Sequence, residues 1–168
     1  MRRRRSVVTA AWLLAAASVY GDGGVGLGVG AFGPPNQGAT SWGVPVSIGL
    51  GLQEGPWQGG LEARYQRRVF LDRELANTPG SNLFQAFVRG GFGRVSSPFE
   101  HRFGVGVGAA HDSKLDGFGV LADAAYTLTH LDSGLYVRTG AWGGTVFAYR
   151  MRQEVAQLYV QFGWRFFL

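Results

Sequence analysis

The sequence predicts an all-β protein: eight antiparallel strands closed into an up-and-down transmembrane β-barrel, preceded by a cleavable signal peptide. Three observations predict it. Apolar side chains alternate with polar or glycine residues at period two along most of the chain. The alternating segments run about ten to fourteen residues, longer than the ~5–6 usual in soluble sheets and enough for the ~9–11 that a tilted strand needs to cross a bilayer. The first 21 residues carry the three regions of an export signal.

That leader, MRRRRSVVTAAWLLAAASVYG, has a basic start at Arg2 to Arg5, an apolar stretch from Val7 to Val19, and small residues Ala15, Ala17, Ser18 and Gly21 near its end. The apolar stretch is shorter than the ~20 residues of a spanning helix, so it reads as a signal peptide over 1–21 and not as an anchor. The barrel is then expected over 22–168. The net charge of +5 belongs to the leader: without Arg2 to Arg5, twelve basic side chains face eleven acidic ones. The basic balance therefore does not indicate nucleic acid.

Between Asp22 and Glu54 no residue is charged, yet ten glycines and three prolines rule out a helix there. Two strands fit. In the first, Val25, Leu27, Val29 and Ala31 alternate with glycines; in the second, Trp42, Val44, Val46, Ile48, Leu50 and Leu52 alternate with Gly43, Pro45, Ser47, Gly49 and Gly51. The third puts Leu61, Ala63, Tyr65, Val69 and Leu71 opposite Glu62, Arg64, Gln66 and Arg68, with Arg67 breaking the apolar face. The fourth sets Phe84, Ala86, Val88 and Phe92 against Gln85, Arg89 and Gly91, and the fifth sets Phe103, Val105, Val107 and Ala109 against Arg102 and glycines. The sixth sets Phe118, Val120, Ala122, Ala124, Tyr126 and Leu128 against Asp123, Thr127 and Thr129. The seventh is less regular. Leu135, Val137, Thr139 and Ala141 are placed outward and Tyr136, Arg138 and Trp142 inward, because Arg138 is the costliest residue to present to an apolar medium. The eighth, LYVQFGWRFFL, masses aromatics on its apolar face at Phe162, Trp164 and Phe166.

Connections alternate between two ends. One end receives 33–39, 72–81, 111–116 and 148–154; the other receives 53–56, 94–98 and 131–134. In lipid every backbone N–H and C=O must be paired internally, so eight strands must close on themselves. The aromatic residues at 162, 164 and 166 then fall at the interface where the termini lie, with Trp57 and Phe92, and Trp42 and Phe84 fall at the other rim. The competing fold is a secreted soluble barrel, in which the apolar face would point inward.

The chain 22–168 resembles the small eight-stranded outer-membrane barrels of Gram-negative bacteria, of the OmpX and OmpA-barrel kind. The leader, the eight alternating segments and the run YVQFGWRFFL carry the resemblance. That run is similar to the family's signal for the barrel-assembly machinery, with Tyr159, Phe162, Trp164, Phe166 and Leu168 as its elements; the family usually ends in Phe where this chain has Leu168. The resemblance implies an integral outer-membrane location with both ends in the periplasm. It implies contact with outer-membrane lipid and lipopolysaccharide, and with periplasmic chaperones and the assembly machinery during biogenesis. A monomer is expected.

Inside such a barrel the polar face gathers Glu62, Arg64, Arg68, Arg89, Arg102, Asp123, Arg138 and Arg165, six arginines against two carboxylates, among Gln66, Gln85, Gln157, Gln161, Tyr136 and Tyr159. Eight strands leave little lumen once side chains fill it. A packed polar network in which guanidinium forks bind carboxylates and amides is therefore expected over an anion path. Inward glycines are expected to make room for the long side chains opposite.

His111, Asp112 and Ser113 lie together in HDSK at a strand end. His111 two residues before Ser113 resembles the H-x-S element of the lipid A deacylase barrels, and a Ser–His pair at a lipid-facing rim could cleave an acyl ester. That resemblance implies a site of His111 and Ser113 with an acidic partner, for which Asp123 is the nearest candidate. It departs at Lys114, where that family has Asn, and at Ala125, where its acidic residue stands; a polar turn is the alternative. His101, His111 and His130 show no metal-ligand spacing, Cys is absent, and VGLGVG lacks the helix of a dinucleotide loop, so no metal and no cofactor are expected.

Arg67, Arg73, Lys114, Arg150 and Arg152 would form a basic rim at the loop end, suited to the phosphates of lipopolysaccharide. The reading is an integral outer-membrane barrel without catalysis, structural or surface-interacting. A lipid A-modifying barrel enzyme is the alternative, and a narrow pore or small-ligand carrier a further one.

Overall fold

The computed structural model describes residues 20–33, 41–70, 81–113, 116–148 and 151–167. The leader up to residue 19, Arg73, Lys114, Arg150 and Leu168 lie outside them, as do the side chains of Trp42, Arg68 and Val69.

Eight strands follow one another: β1 Tyr20–Gly33, β2 Ser41–Glu54, β3 Trp57–Phe70, β4 Asn82–Ser96, β5 Phe99–Asp112, β6 Gly117–His130, β7 Leu135–Ala148 and β8 Met151–Phe167. Each pairs antiparallel with the next, and β1 pairs with β8 from Asp22↔Phe167 to Gly33↔Ala156, which closes the sheet. Closure leaves no unpaired edge, the condition that hydrocarbon imposes on backbone polar groups. β1 starts two residues inside the predicted leader, with Tyr20 opposite Gln53 and Gly21 opposite Leu52.

Both ends of the sheet's chain, Tyr20 and Phe167, lie at one end of the barrel with the three tight turns; this is called the near end below. Gly55 and Gly134 in those turns have φ of +56° and +69°, which a side chain would strain. The far end carries the other connections. One of them differs from expectation. Most of the segment 148–154 is strand, because β7 runs to Ala148 and β8 begins at Met151. Arg152 opposite Phe147 and Glu154 opposite Thr145 continue the ladder, and their charges, well exposed, meet at 3.5 Å.

The alternation read in the sequence sorts the faces. On β6 the even positions from Phe118 to Ala124 are exposed and the odd positions from Gly117 to Ala125 are buried. The same holds around the barrel: Leu50, Leu61, Val88, Val107, Val120 and Leu158 are exposed, while Glu62, Arg64, Gln66, Gln85, Asp123 and Gln161 are buried. The apolar face therefore points outward, which rejects the soluble barrel with an apolar interior.

Aromatic side chains ring the near end of this outer face. Trp57 packs edge-on against Phe92 with ring centroids 5.3 Å apart, and Phe99 meets His130 at 5.3 Å. Phe162, Trp164 and Phe166 are exposed beside them on β8. Tyr65 packs on Phe84 at 5.2 Å toward the far end. Such girdles mark the two interfaces of a membrane barrel.

The far half of the interior mixes buried polar side chains, Gln66, Gln85, Asp112 and Gln157, with apolar ones. Leu83 and Phe87 of β4, Ala110 of β5, Leu121 of β6, Trp142 and Val146 of β7 and Val155 of β8 form one buried apolar cluster.

Candidate functional site

Beneath that apolar cluster lies a network of charge. Glu62 of β3 is its centre. Its Oε1 accepts from Arg64 Nη2 at 2.9 Å and Nε at 3.3 Å, and its Oε2 accepts from Arg138 Nη1 at 2.7 Å and lies 2.9 Å from Arg89 Nε. Asp123 of β6 lies across the lumen, 2.8 Å from Arg89 Nη2 and 3.5 Å from Arg64 Nη2, and Tyr159 donates its hydroxyl to it at 3.0 Å. Strand alternation places each of these groups inward, and pairing brings them level: Glu62 lies opposite Phe87, Arg89 opposite Gly106, and Gly106 opposite Asp123.

Aromatic faces support the guanidinium groups. Arg64 lies 4.5 Å from the centroid of Tyr159 and 5.2 Å from that of Phe87, and Arg89 lies 5.3 Å from Phe87. Phe87 thus joins the apolar cluster to the charged one. Arg138 gives its Nε to Thr127 at 3.2 Å. On the other wall, Gln161 donates to Ser47 at 2.5 Å, and Trp142 donates to Gln157.

A second cluster lies toward the near end. Arg102 and Arg165 both pair with Glu100, Arg102 at 2.5 Å, and both donate to Gln53 Oε1, at 3.1 and 2.6 Å. Sequence reasoning missed Glu100. The signal was present, because Glu100 stands two residues before Arg102 and therefore shares its face. The arginines of the sequence-level interior set accordingly divide into two groups, Arg64, Arg89 and Arg138 with Glu62 and Asp123, and Arg102 and Arg165 with Glu100. Arg68 belongs to β3, and its side chain is outside the described residues.

The inward glycines have two roles. A Cβ on Gly26 would lie 2.6 Å from Gln161 Nε2 and collide with the Tyr136 hydroxyl, so that glycine makes room as expected. Gly49 and Gly104 differ: a Cβ on either would meet only a backbone oxygen at 3.5 Å. These two face a cavity of about 110 Å³ between the two charged clusters.

The hydrolase candidates are not assembled. His111 of β5 is on the outer face, stacked on Phe118 at 4.8 Å. Ser113 sits in the turn after β5, and its Oγ accepts from the backbone N–H of Asn82 at 3.0 Å. Asp123 points inward and is held by Arg89, Arg64 and Tyr159. Asp123 lies five residues along β6 from Phe118, the partner of His111, roughly 16 Å at the rise of a strand. The pleat that alternates side chains puts His111 and Asp123 on opposite faces of the wall, so the structure does not bring these two together. The described residues also hold no cluster of three potential metal ligands.

Of the basic rim, Arg67 and Arg152 are described. Both are exposed and project outward near the far end. In the C-terminal run Tyr159 faces the interior, whereas Phe162, Trp164 and Phe166 face outward.

Closed topology, an apolar outer face, aromatic girdles and a salt-bridged interior together define a class: a small eight-stranded barrel with the fold of outer-membrane proteins. The comparisons agree. The chain resembles the outer membrane enzyme PagL, with 14% identity over 83% of this chain and 97% of that one and a TM-score of 0.59. It resembles Neisserial surface protein A, NspA, with 10% identity over 88% of this chain and 96% of that one, also at 0.59. Identities this low show a common fold. No protein-family model and no curated protein matches the sequence.

Proposed function

We propose that the chain is an integral outer-membrane protein, exported by the leader 1–21, that acts without catalysis as a structural or surface-interacting element of the envelope. The observation that carries this reading is the continuous apolar outer face of a closed barrel. The shared fold with PagL and NspA supports the location. Biogenesis through periplasmic chaperones and the assembly machinery rests on the C-terminal run.

The test is electrophoresis of an isolated outer-membrane fraction, with and without boiling. A closed barrel stays folded in cold detergent and changes its migration only after boiling. A shift in that fraction is expected. A protein found soluble, with no shift, would overturn the reading.

Lipopolysaccharide contact is the finer part. Arg67 and Arg152 stand outward at the end of the barrel opposite the termini, where the phosphates of the outer leaflet would lie, and guanidinium binds phosphate bidentately. The variant R67Q/R150Q/R152Q should co-purify with several-fold less lipopolysaccharide from native membranes. Equal amounts would remove this part and leave the location standing.

The apolar cluster from Leu83 to Val155 supports a sealed interior over a pore. Planar bilayers holding the protein should show no steady conductance; regular steps would favour the pore.

A further inference from the structure

The cavity of about 110 Å³ lies between the two charged clusters and is lined by members of both, Glu62, Arg89 and Arg138 of the central one and Arg102 and Arg165 of the near one. Glycines from several strands make up much of the rest of the lining, including Gly24 of β1, Gly49 of β2 and Gly104 of β5. At about 30 Å³ per water, the space equals three or four waters.

Packing does not require it to be empty. A Cβ at Gly49 or Gly104 would make ordinary contact, so a larger residue at either position could fill the space with side chain. The sequence instead leaves both positions bare in a space that two guanidinium groups also line.

The charge beside the cavity is unbalanced. Among the described residues of the central network, Arg64, Arg89 and Arg138 share two carboxylates, Glu62 and Asp123. Arg138 commits Nη1 to Glu62 and Nε to Thr127, and Arg89 commits Nε and Nη2 to the two carboxylates. Arg138 Nη2 and Arg89 Nη1 have no partner among the described residues. A guanidinium carries five N–H donors in a fixed fork, so both retain donors to give. Both also keep accessible side-chain surface, 14% for Arg89 and 19% for Arg138, whereas Arg64 keeps 1%.

Uncompensated positive charge in a confined space is costly, and an anion removes the cost. The space is too small for a nucleotide or a lipid with its chains, and the donors are matched to oxygen. We propose that this cavity is a binding site for one small oxyanion of the phosphate or sulfate class, held by Arg89 and Arg138 in the room that the lining glycines leave. The site is separate from the lipid-facing surface, so it stands or falls independently of lipopolysaccharide contact. It is a dead end, because the apolar cluster closes the interior on the far side.

The experiment is calorimetric titration of the folded mature protein in detergent with inorganic phosphate, and in parallel with sulfate, against chloride at matched ionic strength. One saturable site per chain is expected for phosphate and sulfate, with none for chloride. The variants G49L and G104L put a side chain into the cavity and should abolish the saturable heat while the boiling-dependent shift shows that they fold. R138K keeps the charge and loses the fork, and should weaken binding by about tenfold, the worth of one charged hydrogen bond. No saturable heat in the native protein would overturn the proposal. So would heat that survives in either filled variant, because the anion would then sit elsewhere. If neither filled variant folds, R138K decides: unchanged affinity overturns it.

Discussion

Replacing Glu62 with Ala should destabilise the folded barrel by about 3–5 kcal/mol, read from reversible unfolding in lipid vesicles across a denaturant series. Glu62 is the acceptor that Arg64, Arg89 and Arg138 have in common. Without it those three cations retain only Asp123, and Asp123 is already committed to Arg89 and Tyr159. Breaking a buried ion pair costs more than the pair ever contributed, because the remaining charge is left buried without compensation. The second half of the test follows from counting charges. Wild type holds three cations and two anions here, Glu62→Ala holds three and one, and Glu62→Ala with Arg138→Met holds two and one. The double variant restores the original excess of one, and should recover about 1–2 kcal/mol of the loss. A Glu62→Ala barrel within ~0.5 kcal/mol of wild type would mean that water, not Glu62, carries the burden of solvating these guanidinium groups.

The strands were legible because a barrel wall separates two unlike media, and a period of two records which medium each residue meets. Even the irregular β7 could be oriented, since Arg138 alone fixes the sign of its alternation; Tyr136 and Trp142 are inward with it. Legibility failed at 148–154. The charged residues Arg150, Arg152 and Glu154 resemble a loop, yet β8 begins at Met151. Beyond the apolar belt the ladder no longer needs an apolar side chain, so polarity stops marking where a strand ends. Exposed Arg152 and Glu154 on the same face show this directly.

Within the barrel, what could be read was parity, and what could not was height and depth. Arg64, Arg89 and Arg138 follow from parity, and Glu100 would have followed had the rule been carried two residues before Arg102. The apolar cluster could not be found this way. Leu83, Phe87, Leu121, Val146 and Val155 come from four strands, and only the strand register places them at one level. The glycines show the same limit. Gly26 and Gly49 look alike in sequence, each inward and each flanked by apolar residues. One is crowded by the Tyr136 hydroxyl and the other faces open space, and the difference depends on side chains more than eighty residues distant in sequence or on their absence. The separation of His111 from Asp123 has the same root: proximity in sequence says nothing when consecutive positions face opposite sides of a wall.

Replacing Val107 with Arg should cost about 2–4 kcal/mol in lipid vesicles, while Leu52→Arg should cost about 0–1 kcal/mol. Both side chains are exposed, 64% and 60%, so contact loss within the protein cannot separate them. Depth can. Val107 lies midway along β5, level with Val88 and Ala122, which also face outward. Leu52 lies two residues from the near end of β2, where an arginine can lift its charge into the interface while its stem stays on the belt. On a barrel surrounded by water, both substitutions would be nearly neutral, because an exposed Val or Leu gives up little when replaced by Arg. A steep dependence on depth is therefore a property of the surrounding solvent and not of the fold. Equal and small effects at the two positions would leave the barrel intact but take away its membrane. A large penalty at Val107 alone would show that the outer face is solvated by hydrocarbon, and that the polar network around Glu62 is the true interior.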